Sequence, residues 1–203
     1  MAPRWQFATK HGFDRVVAAC VLLLALPVLA VVACAVLVSL GRPVFFRQVR
    51  IGRGGRPFEM LKFRSMRPIA AGAAQGGLDL PPDTAPGGVE GADRRTRVGA
   101  FLRRTSIDEL PQLLNVLKGE MSLVGPRPER PEFVDLFQSS VDGYPERHRV
   151  KPGMTGWAQV NGLRGGTSLA ERIAFDNHYI ENWSLSVDMK ILLKTAPAVV
   201  RSS

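Results

Sequence analysis

At 203 residues the chain has room for one modest domain, or one domain plus a membrane element. Its 27 Lys and Arg against 18 Asp and Glu leave a formal charge of +9, which suits nucleic acid, acidic lipid head groups or phosphorylated substrates. Two cysteines, both within one apolar run, and three histidines argue against a disulfide framework, a Cys/His zinc site and a histidine-based triad.

Residues 16–41, VVAACVLLLALPVLAVVACAVLVSLG, carry no charge and are long enough to cross a bilayer as a helix. Basic residues flank both ends: Arg4, Lys10 and Arg15 before, and Arg42, Arg47, Arg50, Arg53 and Arg56 after. Basic flanks mark the cytoplasmic side, and here both ends carry the mark. Pro27, near the middle, removes one backbone bond and favours a kink. A plain span and a helix that enters, bends at Pro27 and returns to the same face are both open on these residues. VAAC (17–20) and VVAC (31–34) loosely resemble lipoprotein cleavage sites, but the run is long for a signal peptide and the arginines after it would resist translocation.

Residues 43–66 predict a β-hairpin, with Val44, Phe45, Phe46, Val49 and Ile51 in one strand and Phe58, Met60, Leu61 and Phe63 in the other. Gly52, Gly54 and Gly55 supply the turn, and GRGG lacks the spacing of a P-loop. Lys62 and Arg64 share one face of the second strand, where solvated charge is the simpler role. Residues 68–93 are rich in Gly, Ala and Pro and predict a long mobile loop.

The stretch 101–131, FLRRTSIDELPQLLNVLKGEMSLVGPRPERP, organises the rest. Leu110, Leu113, Leu114 and Leu117 fall at i, i+3, i+4 and i+7, predicting a helix with one buried face. Ser106 and Glu109 fit a capping box, and capping at Asp108 would accommodate Pro111 better. Either register puts Asp108 and Glu109 in the first turn, where the helix dipole favours ionised carboxylates. Acids at helix starts usually cap, and GPRPERP alone reads equally as a rigid linker. The surroundings add a second reading. A carboxylate meeting a phosphate at about 4 Å repels it by about 4 kcal/mol at an effective dielectric near 20. Arg103, Arg104 and Arg127 are placed in sequence to offset that repulsion, the last held on an extended backbone by Pro126 and Pro128.

In the tail, VKPGMTGWAQVNG (150–162) is turn-rich, and its Thr155, Trp157, Gln159 and Asn161 could meet a nucleotide, a lipid interface or nothing. Ser168 and Glu171 predict a capped helix through about Trp183, and a further helix near 187–196 is expected to stop before Pro197. Ile173, Tyr179, Ile180, Trp183, Leu185 and Met189 with neighbouring cations suit helices lying on a membrane surface, with core helices the competing reading.

Taken in order, FDRVVAACVLLLALP (13–27), GRPVFFRQVRIGRGGRPFEMLKFRSM (41–66), TRVGAFLRRTSIDELPQLLNVLKGEMSLVGPRPE (96–129), KPGMTGWAQVNG (151–162) and FDNHYIENWSLSVDMKIL (175–192) resemble the bacterial sugar transferases that are monotopic phosphoglycosyl transferases, in their minimal catalytic form. The resemblance implies transfer of sugar-1-phosphate from a UDP-sugar to polyprenyl (undecaprenyl) phosphate with release of UMP, a first membrane step in glycoconjugate assembly. It implies Asp108 as nucleophile forming a phosphosugar ester, Glu109 as its partner, and Mg2+ held by Glu109 and Asp108. It implies substrate phosphate on Lys62, Arg103 and Arg127, and a re-entrant helix broken at Pro27. Leu26 stands where that family usually has serine. The fold expected is α+β and mainly helical: a re-entrant membrane helix (1–41), then a compact cytoplasmic catalytic domain (42–203) with a small hairpin and interfacial amphipathic helices. The expected setting is the cytoplasmic face of the bacterial inner membrane, with anionic lipid as a partner and without nucleic acid. The rival is a non-catalytic, membrane-tethered basic protein binding nucleic acid or anionic lipid. The positive charge surrounds a carboxylate pair that would repel a phosphate backbone, which disfavours it.

Overall fold

A computed structural model describes residues 4–68, 94–163 and 165–201; the loop expected at 68–93 falls, from residue 69 on, outside the described residues. Helix α1 (Arg4–Leu40) starts well before the apolar run and continues through Pro27. It is long and apolar enough to cross a membrane by length and composition.

Both of its ends dock on the same body. Near the start, Lys10 pairs with Asp188 at 2.6 Å, and the Ser122 hydroxyl donates to Asp14 at 2.6 Å. Near the end, Val32 and Val36 are buried against Phe63 and Leu102, and the Ser39 hydroxyl donates to Thr96 at 3.2 Å. The middle is bare: Leu23, Leu24, Leu26, Val28 and Val31 are all exposed. Arg64 donates to the carbonyls of Leu40, Gly41 and Arg42, closing the C-terminal turn of α1.

The hairpin forms as its sequence predicts: β1 (Phe45–Ile51) pairs antiparallel with β2 (Pro57–Phe63), with Phe46 opposite Lys62. Gly54 and Gly55 adopt positive φ at the turn, which a side chain would strain. Helix α2 (Arg97–Arg104) is capped by Thr96, whose hydroxyl accepts from the Gly99 N–H at 3.0 Å. Gly99 lies so close to the Ser65 carbonyl that a Cβ would overlap it. Gly99→Ala is therefore expected to cost about 1–3 kcal/mol, read as a fall in thermal midpoint, by pushing α2 off the end of β2. An unchanged midpoint would mean that α2 and the Ser65 carbonyl can part without cost.

The helix expected from the leucine periodicity divides in two. Ile107–Glu109 form a single 3-10 turn, and α3 (Gln112–Lys118) starts only after Pro111. Ser106 sits at φ 54°, ψ 16° and makes no side-chain cap, so the expected capping box is absent. Leu113 still enters the main core across the break and Leu110 and Leu117 pack at its margin, but Leu114 is exposed and Val116 takes the inward place instead, which corrects the expected face by one residue.

After α3, strand β3 (Ser122–Val124) pairs in parallel with β4 (Gly153–Thr155), a pairing the sequence did not signal. Between them lie α4 (Pro131–Phe137) and a 3-10 turn at Tyr144–Arg149. The segment read as a turn-rich loop becomes β4 and the single turn α5 (Trp157–Val160). Helix α6 (Leu169–Glu181) has the predicted cap, Glu171 N–H to Ser168 Oγ at 3.2 Å. Its Ile173, Tyr179 and Ile180 are buried in the core, which corrects the membrane-surface reading of that helix. Helix α7 (Leu185–Arg201) runs past Pro197, so the expected stop is also corrected. A proline here removes one backbone bond without ending the helix.

Candidate active site

Four separate elements deliver charge to one pocket. Asn115, fully buried on α3, treats β2 as a neighbouring strand would: its Oδ1 accepts from Leu61 N–H at 3.1 Å and its Nδ2 donates to Glu59 O at 2.7 Å. This docks β2 beside the 3-10 turn and brings Lys62 Nζ to 2.6 Å from Glu109 Oε1. The loop after β3 brings Arg127 Nη2 to 3.4 Å from the same oxygen. The last turn of α2 places Arg103 on the pocket wall, whereas Arg104 is exposed and lies over the Phe101 ring at 6.0 Å. Ser106, in a left-handed conformation that costs a non-glycine residue about 1–3 kcal/mol, turns the chain between Arg103 and Asp108.

The two carboxyls sit in different environments. Asp108 is 6% exposed; burial and then the neighbouring Glu109 charge push its pKa up to about 6, against the pull of Lys62, Arg103 and Arg127. Burial also opposes ionisation of Glu109, but Lys62 and Arg127 overrule it and hold that carboxyl well below the usual range. Lys62 is lowered by burial despite Glu109, and Arg127 is raised chiefly by Glu109. The expectation that a helix dipole would favour both anions is thus corrected for Asp108. The acids precede α3 instead of opening it, so burial decides. Pairs of acids whose environments separate their pKa values divide naturally into a permanent anion and a more basic oxygen nucleophile.

The pocket has a volume of about 380 Å³, in the range of small-molecule sites. Lys62, Arg103, Asp108, Glu109 and Arg127 supply its charged lining. The rest of the lining includes apolar Leu110, Leu123, Met154 and Leu192 and the polar groups of Thr155, Gln159 and Thr195. Of the four tail residues singled out in sequence, Thr155 and Gln159 reach the pocket. Trp157 instead lies beneath Lys190 and Lys194, and Asn161 donates to Trp157 O at 2.7 Å to close α5. Leu192 and Thr195 on α7 were not visible as site residues, because nothing local distinguishes them; Thr195 enters through a 2.9 Å contact between its hydroxyl and that of Thr155.

The family model described as bacterial sugar transferase matches residues 5–202. A UDP-glucose:undecaprenyl-phosphate glucose-1-phosphate transferase of Caulobacter vibrioides is 46% identical over 195 residues, covering 94% of this chain and 69% of that protein. A protein of the same name from Escherichia coli is 45% identical over 190 residues, 92% of this chain but only 39% of the relative. The exopolysaccharide production protein ExoY of Rhizobium meliloti is 41% identical over 198 residues, covering 95% of this chain and 86% of that protein.

Proposed function

This chain belongs to the bacterial sugar transferase family, and from that premise we propose that it moves a sugar-1-phosphate from a UDP-sugar to polyprenyl (undecaprenyl) phosphate, releasing UMP through a phosphosugar ester on Asp108. The observation that carries the reading is the buried Asp108 beside Glu109 in a pocket that Lys62, Arg103 and Arg127 also line, with Lys62 and Arg127 both on the Glu109 carboxylate. In the first step an Asp108 oxygen attacks the phosphorus that bears the sugar, and the bond from that phosphorus to the UMP oxygen breaks. In the second, a phosphate oxygen of the lipid attacks the same phosphorus and releases the Asp108 carboxylate. The electron pairs balance in each step without a proton being stored. Dividing the displacement in two lowers each barrier.

Lys62, Arg103 and Arg127 bind and neutralise the phosphates. Glu109 holds Lys62 beside the reacting phosphorus and balances part of the Arg127 charge. Among the described residues no group of three His, Cys, Asp or Glu stands together. Magnesium commonly needs only one or two carboxylates beside substrate phosphates, so Glu109 and Asp108 fit it. Bound there, the ion would supply further neutralisation of phosphate charge. With relatives named for glucose-1-phosphate transfer, UDP-glucose is the first donor to test. Purified protein with polyprenyl phosphate and a panel of UDP-sugars is expected to release UMP from UDP-glucose; failure with every donor would end the proposal.

The membrane arrangement proposed is re-entrant, with the catalytic body on the cytoplasmic face beside anionic lipid. A plain span would put the start of α1 and the body on opposite sides. The pairs Lys10–Asp188 and Asp14–Ser122 at one end and Ser39–Thr96 at the other support both ends on one side. Cys20 and Cys34 provide the test, being exposed and each seven residues from Pro27. Single-cysteine variants labelled with a fluorophore in reconstituted vesicles are expected to respond alike to a quencher added on the body's side. Quenching of one label only from the opposite side would restore the plain span.

A further inference from the structure

The loop that delivers Arg127 contains two prolines, so Pro126 and Pro128 offer no N–H by which it could be fixed. It is fixed through its acceptors instead. Four consecutive carbonyls each receive a hydrogen bond from a donor elsewhere in the chain. Pro126 O accepts from Gly153 N–H at 2.9 Å, and Arg127 O from Arg147 Nη2 at 2.8 Å. Pro128 O accepts from Arg50 Nη1 at 3.2 Å, and Glu129 O from Ile51 N–H at 2.9 Å. Two of the four donors are therefore guanidinium groups, each brought from a distant part of the chain.

Those guanidiniums belong to a buried ionic cluster behind the loop. Arg147, 3% exposed, pairs with Asp176 at 2.8 Å, and Glu129 takes Arg172 at 3.2 Å and Arg50 at 3.5 Å. Stability alone gives little reason for this arrangement, since buried ion pairs seldom outperform apolar residues of the same volume. The neighbouring Phe133, Phe137, Leu169 and Ile173 show that apolar packing is available there. What a guanidinium adds is a fixed fork of donors. Arg147 Nη2 serves both the Asp176 carboxylate and the Arg127 carbonyl, while Nη1 lies 3.3 Å from the Tyr144 hydroxyl. Arg147 does not line the active-site pocket. Arg127 does, with a side chain 37% exposed and a long 3.4 Å approach to Glu109. So loose an ion pair leaves the aim of Arg127 to be set by its backbone.

We propose that Arg147, assisted by Arg50, is a positioning residue for phosphate binding. It holds the Arg127 main chain so that the Arg127 guanidinium meets the phosphoryl group beside Asp108, and it does not touch substrate itself. This role rests on reading the pocket as a phosphoryl-transfer centre. Three guanidiniums against two carboxylates (Arg50, Arg147 and Arg172 against Glu129 and Asp176) also leave one positive charge behind the loop, of the sign that favours a phosphate in front of it.

A double-mutant cycle in the full-length, membrane-reconstituted protein tests it. Arg147→Lys keeps a cation against Asp176, but one compact ammonium group loses the fork. The expected result is a fall in kcat for UMP release of about tenfold or more, with KM for the UDP-sugar changed less than about threefold. In an Arg127→Ala background the same substitution is expected to have no further effect beyond about twofold. Arg50→Lys, at a less buried position, should show a smaller loss with the same dependence on Arg127, and it carries the test if Arg147→Lys folds poorly. Losses that multiply in the cycle, or wild-type kcat in both lysine variants, overturn the positioning role while leaving the reaction standing. A wild-type protein that releases no UMP removes the reaction, and this role with it.

Discussion

Asp108→Asn is expected to lower UMP release by at least about 10³-fold while leaving the protein folded. The amide has nearly the same shape but no anionic oxygen to form the ester. Its effect on stability separates lost chemistry from lost structure. Burial and Glu109 raise the Asp108 pKa to about 6 from an ordinary 3.8, so in magnesium-free buffer the folded state binds this proton more tightly than the unfolded state does. The carboxyl therefore costs stability as pH rises from about 4 to about 6, and that cost persists above 6. Asparagine removes a cost of up to about 3 kcal/mol at pH 8 and makes no such difference below about pH 4. An inactive variant that melts at or above the wild-type temperature at pH 8 fits the nucleophile. Normal turnover, or a phosphosugar trapped on some other residue, would end that assignment.

Glu109→Gln is expected to reduce kcat by about 10²–10³-fold and to raise the magnesium concentration for half-maximal activity by about tenfold or more. Glu109 answers two cations at once, Lys62 at 2.6 Å and Arg127 at 3.4 Å, and its charge also helps keep the Asp108 oxygen basic. Without it, Asp108 becomes the remaining carboxylate acting on Lys62. An ion pair with Lys62 would lower its basicity and tie it away from phosphorus. A slow variant with an ordinary magnesium response would keep Glu109 as a counter-ion and remove it from the metal.

The hairpin and the α6 cap could be read directly because their signals are local. Alternating apolar residues around a glycine turn specify β1 and β2, and Ser168 lies three residues from the N–H it caps. Three of the four leucines after Asp108 face the core, with Leu114 exposed, and their spacing did not reveal the break at Pro111 or the left-handed Ser106 that starts the 3-10 turn. Amphipathic spacing in α6 could not choose between a lipid surface and a protein core, because both present the same apolar face. Only the packing of Ile173, Tyr179 and Ile180 decided it.

By itself the sequence determined which groups could handle phosphate: two adjacent acids, arginines on either side and a stiff Pro-Arg-Pro segment, all within a few turns of chain. Tertiary structure alone decided how they meet. Lys62 reaches Glu109 across 47 residues because Asn115 docks β2 on α3, and Arg127 faces the dyad through carbonyl bonds from Arg147 and Arg50. Charge and periodicity are properties of neighbouring residues, whereas the pKa division between Asp108 and Glu109 depends on burial and on cations that only the completed fold brings within a few ångströms.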